Sequence, residues 1–285
     1  MTLLHSQEVY LRVLALNYTN SMEHISVDTP SSSAATKKVR ILHVDDEEMF
    51  TELLQAYLER HGNGCVEVQS AHSAADGLDL LESEQFDCIV SDFSMSGTNG
   101  LQFLQQVRTE RPTLPFILFT GQGSEQIASD AISAGVTDYV QKGGTERLEL
   151  LMNRIKHAID NRTLSDELEE EARKFRAVWE RASDAMLLAD DDGRYVDANP
   201  EACRLFGVEK EVLLGKTAAD FAESGFDFAA AWQQFKASDR EHGRFPLRRP
   251  DGTSMEVEYS ATPDIVPGLS LSILRPASEN EGNGV

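Results

Sequence analysis

Lysine is scarce in this chain, supplying eight of the 26 basic residues against 18 arginines, while 48 acids give a net charge of -22. The sequence pI is about 4.6. Broad nucleic-acid binding needs a basic footprint, so this balance argues against a nucleic-acid partner. The acidic, lysine-poor composition reads as a solvated surface suited to high salt, rather than as an acidic active site. Cysteine is also rare. Cys65, Cys88 and Cys203 show no C-x-x-C spacing. That argues against a zinc site or a disulfide scaffold and points to a reducing, cytoplasmic compartment. No apolar run approaches the length of a membrane span, so no membrane partner is expected. The apolar stretch 9–16 carries Arg12 and has no basic flank, which argues against a signal peptide. Residues 1–38, with the Ser/Ala/Thr-rich stretch 29–36, read as a disordered tail, and 277–285 as a second one.

What remains is enough for two domains. In the first, short apolar runs alternate with helical patterns. Residues 39–44 form a run that ends in Asp45-Asp46, and Met49, Phe50, Leu53, Leu54, Tyr57 and Leu58 then mark a helical face. Val66 and Val68 lie in a second strand, followed by a helix over about 74–81. Cys88-Ile89-Val90 is a third run, bounded by Ser91-Asp92 and a loop holding Gly97 and Gly100. Residues 115–120 and 137–141 read as the fourth and fifth strands, ending at Thr120 and just before Lys142. Five such alternations predict an α/β fold with a doubly wound parallel sheet of order 2-1-3-4-5, helices covering both faces.

In such sheets the ligand site lies outside the carboxyl ends of the strands, at the switch in strand order. An aspartate there commonly just starts a turn, so Asp92 alone says little. Together, Asp45, Asp46, Asp92, Thr120 and Lys142 all fall on that one rim. Packed carboxylates repel unless a cation joins them. Magnesium takes one or two carboxylates plus water and phosphate oxygens, and a hydroxyl and an ammonium suit the remaining phosphoryl oxygens. A carboxylate in such a place can act as nucleophile and form an aspartyl-phosphate.

The motifs V-D-D at 44–46, S-D-F-S-M at 91–95, F-T-G at 119–121 and D-Y-V-Q-K at 138–142 resemble those of receiver domains in the response regulators of two-component signalling. The resemblance covers 39–159, the flavodoxin-like receiver. It implies that Asp92 is the phosphoacceptor and that Asp45, Asp46, Asp92 and the backbone carbonyl of Ser94 hold Mg2+. It further implies that Thr120 and Lys142 contact the phosphoryl group, and that Thr120 and Tyr139 move as a switch. The sequence departs from the pattern at Ser96 and Gly143, where the family commonly has proline. Both affect loop rigidity, and neither removes a chemical group. His43, inside the first strand, reads as a core histidine.

Residues 147–158 are helical, with Leu148, Leu151, Ile155 and Ala158 at spacings that fit either a receiver's last helix or a coiled-coil seam. Leu164, Leu168, Phe175 and Val178 continue similar spacing amid dense charge. One or two helices are expected here, with 160–174 as the connector. His157 lacks the motif of a phosphate-accepting histidine box and reads as a cation near a helix end.

The second domain opens with a hairpin pattern: an apolar strand at 186–189, the turn D-D-D-G at 190–193, and a strand at 195–198. Asn199-Pro200-Glu201 opens a helix as N-cap, first-turn proline and acid. Short helices are expected at 210–214 and 218–222, and a longer one over 228–235. Strands around Phe245 and Leu247, then Met255 to Ala261, then Leu269 to Ile273, complete an α+β domain with an antiparallel five-stranded sheet. The stretch 175–276 resembles a PAS sensor domain through Y-V-D-A-N-P-E-A-C-R-L-F-G at 195–207, L-L-G-K at 213–216 and P-D-G-T at 250–253. Its ligand is not readable from the sequence. Cys203 lacks the flanking residues of a flavin-adduct cysteine and reads as a core residue.

The sequence therefore predicts a phosphorelay response regulator that takes a phosphoryl group on Asp92 from a sensor histidine kinase. A homodimer through the connector and the PAS module is a further expectation. An alternative is a PAS-based ligand sensor whose receiver serves only as a docking platform. A third reading, a phosphatase-type enzyme on the same acidic rim, is set against a protein that is no enzyme and at most dephosphorylates itself.

Overall fold

A computed structural model of the chain describes residues 38–121, 125–222 and 227–277. The two expected tails lie outside the described residues, apart from residue 38 of the first and residue 277 of the second. The chain divides into two compact units, one within 29–167 and one within 168–285.

The first unit is built on β1 (Val39–Val44), β2 (Val66–Ala71), β3 (Cys88–Ser91), β4 (Phe116–Thr120) and β5 (Asp138–Gln141). They form one parallel sheet in the order β2-β1-β3-β4-β5. The helices between them are α1 (Glu48–His61), α2 (Ala74–Ser83), α3 (Gly100–Glu110) and α4 (Glu125–Ser133). Strands β3 and β4 are buried along their whole length, which is why their sequences are continuously apolar rather than alternating. Two hydrophobic layers result. Phe103, Phe116, Leu118 and Leu104 lie in one, and Leu54, Leu58, Ile117 and Phe119 in the other. Burying each such side chain contributes about 1.5–3 kcal/mol.

Helix α5 (Thr145–Arg181) is a single helix of 37 residues. Its first turns bury Leu148, Leu151, Ile155 and Ala158 in the second of those layers. Those four positions thus belong to a last receiver helix, not to a seam. Further along, Leu164 and Val178 are exposed. The ion pairs Arg162–Asp166 and Lys174–Glu170 line the helix one turn apart.

The second unit holds β6 (Ala185–Ala189), β7 (Tyr195–Ala198), β8 (Glu241–Arg248), β9 (Ser254–Val266) and β10 (Leu269–Pro276). They make an antiparallel sheet in the order β7-β6-β10-β9-β8. Between β7 and β8 come α6 (Pro200–Phe206), α7 (Lys210–Leu213), a 3-10 turn (Ala218–Phe221) and α8 (Phe228–Lys236). Two strands, a helical middle and three strands is the predicted order. Helices α6 and α7 and the 3-10 turn pack on one sheet face, around Leu187, Phe206, Leu213, Phe221 and Val257. On the other face Leu188 packs against Trp179, near the end of α5.

Asn199 does more here than cap α6. Fully buried, its Oδ1 accepts from Ala202 N at 2.8 Å and Met186 N at 2.9 Å. Its Nδ2 donates to the Asp184 carbonyl at 2.9 Å and the Trp179 carbonyl at 3.3 Å. All four hydrogen bonds of the amide are thereby made, as a buried amide requires. One side chain ties the end of α5, the start of β6 and the start of α6. Cys203, expected in the core, is only half-buried on α6. Its helical position turns it toward a groove beside Arg204 and Lys210.

Candidate functional site

The carboxyl ends of β1, β3, β4 and β5 bring the predicted residues to one rim. Asp45 and Asp46 follow β1, Asp92 follows β3, Thr120 closes β4 and Lys142 follows β5. The parallel pairing sets this alignment: Asp92 N donates to the Val44 carbonyl at 2.8 Å, and Lys142 N to the Thr120 carbonyl at 2.8 Å. One carboxylate oxygen from each of Asp45, Asp46 and Asp92 lies within 4.8 Å of the others. Asp45 and Asp92 are buried and Asp46 is exposed.

Lys142 bridges two of these acids. Its Nζ lies 2.6 Å from Asp45 Oδ2 and 3.3 Å from Asp92 Oδ1. The ammonium also sits 4.2 Å from the centre of the Phe50 ring, a cation–π contact that covers its other side. Burial pushes the Asp92 carboxyl above its ordinary range; Lys142 works against that shift and Asp45 adds to it. Asp45 Oδ1 is held by Glu47 N at 3.0 Å, and Asp92 Oδ2 by Ser94 N at 3.2 Å. Asp92 Oδ1, although near Lys142, accepts no well-formed hydrogen bond among the described residues. Such an oxygen is under-coordinated, as expected of an atom that takes a ligand.

Asp46 is held by a residue that the sequence marked only as a departure. Its Oδ2 accepts from Ser96 N at 2.8 Å and from Ser96 Oγ at 2.7 Å. These two bonds hold the Asp46 carboxyl below its ordinary range. Proline at 96 would have neither donor. Only the mixed chemistry of serine, a hydroxyl beside a backbone N–H, hinted at this.

The loop from Asp92 to α3 is fixed at its far end. Asn99 and Gln102 form a reciprocal capping box, and a Cβ on Gly100 would lie 2.3 Å from the Asp92 carbonyl oxygen. Glycine is required there by close backbone approach. His43 is buried as expected, and its Nε2 lies 3.8 Å from Asp45 Oδ2. Burial lowers its pKa to about 4, so it is neutral beside the acids.

Thr120 is fully buried at the end of β4. Tyr139, on β5 opposite Leu118, is half-buried against the first hydrophobic layer, and burial raises its hydroxyl pKa. Ser94 stands in the loop next to the site. The donor set is all oxygen, three carboxylates on one rim, and it suits a hard divalent cation such as magnesium. Asp45, Asp46 and Asp92 are the residues that would hold it.

A parallel sheet with three acids and a lysine at its switch point defines the receiver class of signalling domain. Comparison with known proteins agrees. The response regulator receiver domain family matches residues 41–156, and the PAS domain family matches 183–264. Transcriptional regulatory protein SrrA of Staphylococcus aureus is 30% identical over 174 residues, covering 61% of this chain and 68% of that protein. The alginate biosynthesis transcriptional regulatory protein AlgB of Pseudomonas putida is 33% identical over 174 residues, 59% of this chain and 38% of that protein. Transcriptional regulatory protein ResD of Bacillus subtilis is 35% identical over 108 residues, 38% of this chain and 43% of that protein. The chain thus spans less than half the length of the last two. Among solved structures, a CheY-like receiver domain protein from Methanospirillum hungatei aligns with a TM-score of 0.42 and 27% identity, over 45% of this chain and 99% of that one. The chain belongs to the response regulators of two-component signalling, with a receiver domain followed by a PAS domain. No helix among the described residues is long and apolar enough to cross a membrane.

Proposed function

We propose that this response regulator accepts a phosphoryl group on Asp92 from a sensor histidine kinase, with Mg2+, and couples that event to its PAS module. The observation that carries the reading is the under-coordinated Asp92 Oδ1, 3.3 Å from the Lys142 ammonium and beside two further acids.

In the transfer, an Asp92 carboxylate oxygen attacks phosphorus, the bond from phosphorus to the donor imidazole breaks, and the imidazole leaves with the electron pair. When bound, magnesium neutralises charge on the acids and on the phosphoryl oxygens. Asp45 and Asp46 would hold it with Asp92 and the Ser94 carbonyl. The Lys142 ammonium meets the anion that forms. Thr120, at the end of β4, offers its hydroxyl to the phosphoryl group, and the dianion biases the switch at Thr120 and Tyr139. Burial raises the Asp92 carboxyl, and the neighbouring ammonium works the other way, favouring the ionised nucleophile.

The protein acts as a phosphoacceptor, at most dephosphorylating itself, and not as an enzyme on an external ester. Its site is cytoplasmic. Its output runs through protein contact or phosphorelay, without nucleic acid, a reading supported by the net charge of -22, the wrong sign for a phosphate backbone. A homodimer through the connector and PAS module fits the exposed Leu164 and Val178.

Incubation with radiolabelled acetyl phosphate and magnesium tests the reading. Wild type takes up label and Asp92→Asn does not. Equal labelling of the two would leave the receiver as a docking platform only. Turnover of an exogenous phosphoester above buffer would favour the phosphatase reading instead.

A further inference from the structure

The PAS unit contains a cavity of about 290 Å³ between α8 and the β8–β9 hairpin. Its walls are aromatic: Phe228, Trp232 and Phe235 from α8, and Phe245 and Tyr259 from the hairpin. Strand alternation explains the last two. Glu241, Gly243, Phe245 and Leu247 share one face of β8 and pair across to Ala261, Tyr259, Val257 and Met255. Leu247 and Val257 are fully buried in the core, so this is the inward face. Among these eight residues Glu241 is the one acid, and there is no base. Arg244 also lines the cavity, from the opposite strand face, and its guanidinium pairs with Glu256 and Glu258 at 3.3 and 3.0 Å.

Glu241 is held in place. Tyr259 Oη donates to its Oε1 at 3.0 Å. The Tyr259 ring lies over Gly243, where a Cβ would come within 3.2 Å of it. Burial and the Glu241 carboxylate push the Tyr259 hydroxyl up to about 12, so Tyr259 remains the donor in this pair. That leaves acceptor capacity on Glu241 facing an aromatic chamber. The chamber's far wall is fixed as well. Trp232 Nε1 donates to the Asp191 carbonyl at 2.9 Å, and Lys236 pairs with Asp191 and Asp264 at 3.0 and 2.8 Å. Gly193, at φ +75°, lets the Phe228 and Trp232 rings rest on the D-D-D-G turn.

We infer that this cavity binds a small aromatic amine, its ring among the aromatic side chains and its cationic nitrogen on the Glu241 carboxylate. Three observations carry it. Aromatic faces and a carboxylate together favour an organic cation over a neutral or anionic molecule. Arg244, the one base lining the cavity, is already paired with Glu256 and Glu258 and leaves Glu241 as the unneutralised charge there. The volume of about 290 Å³ is roughly twice that of an apolar cavity of ~150 Å³ that holds benzene. A bicyclic ring with a short side chain fits that space. The inference deepens the reading of the PAS unit as a sensory module. It is independent of Asp92, so phosphoryl labelling can succeed where this fails, and the reverse.

Isothermal titration of the full chain with tryptamine, indole and indole-3-acetate decides it. The expected order is tryptamine tightest, then indole, with indole-3-acetate weakest. A charge-assisted hydrogen bond predicts a tryptamine preference over indole of roughly tenfold to hundredfold. Glu241→Gln keeps an acceptor for Tyr259, so the fold is retained, and there the tryptamine preference disappears while indole still binds. Wild-type thermal shifts with the same three probes repeat the ranking without any variant. Equal or tighter binding of indole or indole-3-acetate, no binding of tryptamine, or co-purification of haem or flavin would each overturn the inference.

Discussion

Ser96 offers a sharp handle on the acidic site, because two donors from one residue converge on one oxygen of Asp46. Ser96 N and Oγ lie 2.8 and 2.7 Å from Asp46 Oδ2. They leave the other carboxylate oxygen for a cation and keep the group ionised, which the lowered Asp46 carboxyl reflects. A hydrogen bond to a charged group is worth about 1.5–3 kcal/mol when shielded. Asp46 is exposed, so solvent screening reduces each bond to roughly 0.5–1 kcal/mol. Ser96→Ala keeps the backbone donor and weakens magnesium binding about twofold to fivefold; Ser96→Pro removes both and weakens it about fivefold to thirtyfold. Isothermal titration of magnesium into the full chain measures both. In an Asp46→Ala background the Ser96→Ala effect vanishes, since the two residues form one coupled pair. Unchanged or tighter binding by Ser96→Pro, or an effect that persists without Asp46, refutes the reasoning.

Three other perturbations follow from the same contacts. His43 has its pKa lowered to about 4 from 6.5 in the unfolded chain, so the unfolded state takes up the proton first as pH falls. Stability is unaffected above pH 6.5 and declines from there to about pH 4, by about 3 kcal/mol for this group. Urea unfolding of wild type and His43→Gln at pH 7 and pH 4.5 should show the steeper loss in wild type, and parallel losses would remove the argument. Lys142→Met leaves Asp45 and Asp92 adjacent without their shared cation, at a cost of about 2 kcal/mol or more in magnesium-free buffer. Added magnesium should recover much of the melting temperature, whereas an identical loss with and without it speaks against a metal cradle. Lys210 pairs with the fully buried Asp197, so Lys210→Met should cost about 3 kcal/mol in urea unfolding, and Asp197→Asn in that background should restore part of it. A loss below about 0.5 kcal/mol would show that the pair behaves like an exposed one.

The receiver sheet was legible because its strands are buried on both faces and end in chemically distinctive residues. Cys88 to Val90 could be little else, and the alternation of strand and helix set the order β2-β1-β3-β4-β5. The PAS strands were legible from period-two alternation, most clearly at Met255 to Ala261. What the sequence hid depends on contacts between residues far apart in the chain. Phe50 reads as one more apolar position on α1, yet its ring lies under the Lys142 ammonium. Ser96 reads as a lost proline, yet it clamps Asp46 across a separation of 50 residues. Asn199 reads as a helix cap, which it is, but its amide also binds two carbonyls upstream that no local pattern reveals. The extent of α5 was obscured because its middle is almost entirely charged, so apolar periodicity lapses there although helix propensity does not. Glu241 carried no signal, since an acid at the start of an edge strand is ordinarily solvated.

The central claim is that Asp45, Asp46, Asp92 and Lys142 form one cradle for a divalent cation and a phosphoryl group. A crystal structure of the full chain with magnesium and beryllofluoride tests it most directly. The account predicts the fluoride adduct on Asp92, magnesium among the three carboxylates, and the Lys142 ammonium on the fluorines. An adduct on another residue, or Lys142 turned away with magnesium bound elsewhere, would contradict it.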